Sequence, residues 1–159
     1  MKAYRVDRKN FDVADPVYPT GEYFDELDSK GEIVENCLEE NRPSNKPKRN
    51  KVLHIFQKLE DAQKFWSKMK TGKLSIVEID DKELLHQGDM EITENMYKNS
   101  DDAHILKQLA EKYWSGKNTS NPEIEILVES AIVTEIFSKD ETERKQEFIK
   151  RSGLPDLGK

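Results

Sequence analysis

The chain of 159 residues contains a single cysteine, Cys37, which excludes an internal disulfide and a cysteine-built metal site. Long apolar runs are also missing. No stretch approaches the roughly 18 uninterrupted apolar residues that a membrane span requires. The opening Met1-Lys2-Ala3-Tyr4-Arg5-Val6-Asp7-Arg8 has no apolar centre of the secretory-signal kind. Nor is there a basic surplus: 26 Lys and Arg face 32 Asp and Glu, for a net charge of −6. Phosphate affinity comes mainly from a basic surface, so loose binding to nucleic-acid backbones is disfavoured. His86 and His104 lie far apart, without ligand spacing to each other or to Cys37. These absences lead us to expect a cytoplasmic protein with no membrane partner and no metal.

Apolar residues make up 35% of the chain and charged residues 36%. The apolar ones fall in clusters, which favours a small core under a densely charged surface over disorder. The length suits one domain, expected over residues 1–151, with 152–159 as a loosely held tail. Strands are expected at 3–6, 52–57, 74–79, 123–129 and 131–137, where apolar and β-branched residues gather. Helical spacing marks 59–69, about 102–114 and 140–150. Residues 22–40 read as two helical pieces broken at Gly31. Segments 11–21, 41–51 and 115–122 read as loops, and Gly88-Asp89 as a turn. Strands clustered near the end, with helices between, suit an α+β domain.

The stretch that carries chemistry is Asn121-Pro122-Glu123-Ile124-Glu125-Ile126-Leu127-Val128-Glu129. Residues two apart in a strand share a face, so Ile124, Ile126 and Val128 point to the core. Glu123 and Glu125 point the other way, side by side. Two such carboxylates can act on a sugar: one stabilises positive charge developing at an anomeric carbon, the other helps deprotonate a nucleophile. Acidic residues on the wet face of a half-buried strand are also commonplace, so spacing alone leaves both readings open. Arg42, Lys46, Lys48 and Arg49 read as a solvated loop or an anion site.

Glu-x-Glu followed by an apolar triplet and a second apolar strand resembles the catalytic strand of mono-ADP-ribosyltransferases. Tyr4-Arg5-Val6 resembles the arginine-bearing first strand of that family, and the order of the two is the same. The chain is also similar to a family of uncharacterised bacterial proteins of this fold. The shared features there are the Tyr-Arg-Val opening, a Glu-rich helix leading to Arg42-Pro43 and Arg49, the Phe56 strand, and Gly88-Asp89-Met90. The resemblance covers residues 3–138. The serine motif of many arginine-type members has no counterpart in Lys51-Val52-Leu53-His54-Ile55-Phe56-Gln57.

The resemblance implies an ADP-ribosyltransferase-like split β-sheet with flanking helices, and NAD as substrate. Glu125 would be catalytic, Glu123 would orient the acceptor, and Arg5 would hold the diphosphate or adjacent ribose. His54 is either a core or edge histidine or a cofactor contact. Tyr4, Tyr18, Tyr23 and Phe56 include candidate rings for stacking on nicotinamide. The implied acceptor is a protein or, second, a nucleic acid. A toxin or phage or host effector of this kind would also have an inhibitor or antitoxin as partner. Two rival readings remain: a binding module that has lost turnover, and an interaction protein whose Glu-x-Glu is accidental. The transferase reading requires Arg5 and Glu125 to line one cleft.

Overall fold

The structure, a computed structural model, describes residues 1–67 and 72–137. The helix expected over 140–150, the boundary at 151 and the tail 152–159 lie outside the described residues. Strand β1 (Lys2–Asp7) is followed by β2 (Pro16–Val17), β3 (Leu53–Phe56), β4 (Lys73–Glu78), β5 (His86–Asp89), β6 (Ile124–Val128) and β7 (Ala131–Ile136). These form one antiparallel sheet in the order β2-β7-β4-β1-β3-β6-β5. The helices are α1 (Glu22–Asp25), α2 (Ser29–Glu40), α3 (Leu59–Ser67), α4 (Met90–Lys98) and α5 (Ala103–Trp114). The fold class is α+β, as the sequence pattern predicts.

Register carries a side chain's face from strand to strand. Tyr4 lies opposite Phe56, Phe56 opposite Glu125, and Glu125 opposite Gly88. All four therefore share one face. The other face holds Ala3, Leu53, Ile55, Val77, Ile126, Val128 and Val133 in a single apolar cluster with Val17 of β2, and Phe11 packs on it.

On the Glu125 face the helices form two groups. Val34, Leu38, Ile92, Met96, Leu106 and Ala110 of α2, α4 and α5 close over Leu127. Ala62 and Trp66 of α3 pack with Leu74 against Tyr4, Val6 and Phe56. Aspartates start three of these helices by accepting orphan backbone N–H groups: Asp28 from Gly31, Asp89 from Glu91, and Asp102 from His104 and Ile105.

Two expectations are corrected here. Helix α2 runs through Gly31, and the break falls before its cap at Asp28. A Cβ at Gly31 would lie 2.9 Å from Leu27 Cδ2 and 3.1 Å from Tyr97 Oη, so the glycine permits close packing rather than a break. Gly88-Asp89 is not a turn but the end of β5 and the cap of α4. Pairing with β6 overrides its turn-like composition.

Candidate active site

Strand β1 pairs with β4 along its whole length, but meets β3 at one register pair, Tyr4 and Phe56. Where β1 and β3 part, a cleft of about 320 Å³ opens. Arg5 and Asp7 line it from β1, His54 and Phe56 from β3, Tyr23 and Phe24 from α1, and Phe65 from α3, with Glu125 also in its wall. The volume lies at the lower end of ligand sites, roughly 300–1,000 Å³.

Glu125 is 4% exposed, and the side chain that partners it, Arg49, is 7% exposed. Arg49 sits in a single 3-10 turn (Arg49–Lys51) just before β3. Its Nε donates to Glu35 Oε2 at 2.8 Å and its Nη2 to Glu35 Oε1 at 3.0 Å, a bidentate fork. Its Nη1 donates to Glu125 Oε1 and to the Tyr113 hydroxyl, the latter at 2.6 Å. The Tyr113 hydroxyl in turn donates to Glu125 Oε1 at 2.5 Å. His54 Nε2 donates to the Arg49 carbonyl at 2.7 Å, and Nδ1 faces Glu125 Oε2 at 3.5 Å.

Two carboxylates thus share one guanidinium. Burial by itself would push the Glu125 carboxyl up. The Arg49 charge, the His54 contact and the Tyr113 hydroxyl more than offset it, holding Glu125 well below the usual carboxylate range. Burial opposes the Arg49 charge, but Glu125, Tyr113 and Glu35 outweigh it and keep the guanidinium protonated. Burial, aided by the Glu125 charge, pushes the Tyr113 phenol up against the opposing effect of Arg49.

Asp89, 1% exposed, anchors the strand that carries Glu125. Its carboxylate accepts from Glu91 N at 2.9 Å, Glu123 N at 3.0 Å, Thr119 N at 2.7 Å and Thr119 Oγ1 at 2.8 Å. One side chain thereby ties the start of α4, the loop after α5 and the start of β6.

The sequence-predicted residues separate into two sets. Arg5, His54, Phe56 and Glu125 line one cleft, together with Tyr18 and Tyr23. Arg5 reaches it from the opposite sheet face; its Nε donates to Asp7 Oδ2 at 2.7 Å and its Nη1 to the His54 carbonyl at 3.3 Å. Tyr4 instead packs against the α3 cluster and is not among the cleft residues. Glu123 shares the Glu125 side of the strand, but lies outside the cleft and accepts from Lys64 Nζ at 2.9 Å.

Glu125 is not on a wet face: helices cover it, because the carboxylate is neutralised from within. Arg49 is likewise no solvated loop residue, whereas Arg42 is tied to Glu39 and the Lys46 carbonyl. Glu35 and Tyr113 carry no sequence signal beyond their helical positions.

Fold and cleft define a mixed α+β protein whose antiparallel sheet parts over a buried, internally neutralised carboxylate. The chain belongs to the family described as "Protein of unknown function (DUF2441)", whose model matches residues 3–140. No curated protein matches it. No helix among the described residues is long and apolar enough to cross a membrane.

Proposed function

We propose that the protein is an NAD-dependent mono-ADP-ribosyltransferase acting on a macromolecular acceptor, a protein ahead of a nucleic acid. The observation that carries this reading is that Arg5 and Glu125, from strands at opposite ends of the sequence, line one cleft with His54 and Phe56. In the proposed reaction the bond between the ribose anomeric carbon and the nicotinamide nitrogen breaks. Nicotinamide leaves with the bonding electron pair, and an acceptor nucleophile bonds to the carbon and loses its proton.

The transition state has oxocarbenium character, as in glycoside chemistry. The Glu125 carboxylate, kept ionised by Arg49, would hydrogen-bond the nicotinamide ribose hydroxyl and stabilise that charge. Arg5 would hold a phosphate or the adjacent ribose through its Nη2 group, which has no protein acceptor among the described residues. Phe56 and Tyr23 supply candidate rings for the nicotinamide. Glu123, outside the cleft on the same strand side, would serve the acceptor after parting from Lys64.

The test is nicotinamide release from NAD by the purified protein, with cell lysate as acceptor. Glu125→Gln should lower release by on the order of a hundredfold, as loss of one preorganised electrostatic group does. Full turnover in that variant would refute the assignment. The second reading, a binding module without turnover, is favoured by the 4% exposure of Glu125. It requires NAD to bind wild-type protein with no nicotinamide released.

A further inference from the structure

The two oxygens of the Glu125 carboxylate are not equivalent. Oε1 accepts from both Arg49 Nη1 and the Tyr113 hydroxyl. Among the described residues Oε2 faces only His54 Nδ1, at 3.5 Å, beyond ordinary hydrogen-bond length. One oxygen is saturated from inside the protein, and the other is left for whatever enters the cleft. The groups that saturate Oε1 are themselves fixed. Arg49 is forked onto both oxygens of Glu35. The Tyr113 ring lies against Gly88, where even a Cβ would collide with it, and beside the rings of His86 and Trp114. Rotating the carboxylate out of this orientation would break both bonds to Oε1.

We infer that Arg49 and Tyr113 are positioning residues of the cleft, holding Glu125 by Oε1 so that Oε2 is the atom a bound ligand meets. Lysine cannot substitute for Arg49, because a single ammonium cannot fork onto Glu35 while also reaching Glu125 and Tyr113. The Glu125 carboxyl is held well below the usual carboxylate range, in agreement with the geometry, since the bonds that orient the carboxylate also favour its charged form. In its activity readout the inference rests on the transferase reading; in its spectroscopic readout it does not.

The experiment uses the full chain and two variants. Tyr113→Phe keeps the ring against Gly88 and removes only the hydroxyl; Arg49→Lys keeps the charge and removes the fork. Nicotinamide release from NAD is resolved into kcat and KM. The carboxyl resonance of Glu125 in ¹³C-glutamate-labelled protein, assigned with Glu125→Gln, is followed with pH. With an active wild type, Tyr113→Phe should lower kcat about tenfold and Arg49→Lys more, with KM little changed, since one charge-assisted hydrogen bond is worth about that ratio.

The Glu125 resonance should stay that of a carboxylate through the acid range of the folded wild type, and titrate at higher pH in each folded variant. A purely structural role would not move that titration. Unchanged kcat in both variants of an active enzyme overturns the inference, as does an unchanged titration. If the wild type releases no nicotinamide, the transferase reading falls by itself and the titration alone decides the clamp. If Arg49→Lys does not fold, Tyr113→Phe carries both readouts.

Discussion

An alanine at position 88 would place its Cβ 2.2 Å from Tyr113 Cε2, 2.4 Å from Cζ and 2.7 Å from the hydroxyl oxygen. Non-bonded carbons rest at about 3.5–4.0 Å, so either the ring or the strand has to move. The ring has little room, because its hydroxyl is bonded to Arg49 and Glu125. Its face also lies 5.2 Å from the Arg49 guanidinium carbon, with the His86 and Trp114 rings at 5.1 and 5.0 Å. The strand has little more, because Gly88 stands in register with Glu125.

Overpacking a rigid site costs about 1–3 kcal/mol, and with both escapes blocked we expect about 3 kcal/mol for Gly88→Ala. That is a large share of the roughly 5–15 kcal/mol by which domains are stable. Urea unfolding should show a lower midpoint with an unchanged slope. In a Tyr113→Leu background the obstructing ring is gone, and the same substitution should cost less than about 1 kcal/mol. The coupling of about 2 kcal/mol between the two sites is the decisive quantity. An equal cost in both backgrounds, or a cost below about 0.5 kcal/mol in the wild type, would refute the steric account.

His86 is buried and its Nε2 donates to the Tyr113 carbonyl at 3.2 Å. Burial, and then the Lys46 charge, push its imidazole down from 6.5 to about 4. The unfolded chain therefore takes up a proton that the folded one refuses. Stability falls as pH drops from 6.5 towards 4, by about 3 kcal/mol at most. The depressed carboxyls of Glu125 and Asp89 contribute losses that begin as pH falls through the ordinary carboxylate range and continue below it. Urea midpoints at about pH 7 and about pH 5 should therefore separate in the wild type and converge in His86→Gln; equal separation in both refutes the assignment. Asp89→Ala should cost about 3 kcal/mol or more, because it removes a helix cap and orphans the Thr119 and Glu123 amides. Hydrogen exchange at those two amides should accelerate; unaltered protection would show that the loop holds without Asp89.

Local periodicity by itself determined the α+β class, the strands around residues 52–57, 74–79 and 123–137, and the α3 and α5 helices. It also determined that Glu123 and Glu125 share the strand side opposite Ile126 and Val128, because alternation within a strand needs no knowledge of partners. It could not determine that the Glu125 side is dry. Nothing near Glu125 in sequence announces the cation that neutralises it: Arg49 lies 76 residues away, and the bonds of Arg49 to Glu35 and Tyr113 span 14 and 64 residues.

In isolation Arg49 is one basic residue in a polar loop. Only the sheet order, which sets β3 beside β6 and lays α2 and α5 over both, converts it into a buried counter-ion. Tertiary structure likewise decided that Gly88 extends an edge strand instead of turning, since hydrogen bonds to β6 and contact with Tyr113 outweigh the local preference of a Gly-Asp pair. Alternation and helical spacing act over a few residues and are written in the chain. Charge neutralisation and close packing act between residues that only the completed fold brings together, and the cleft is built from those.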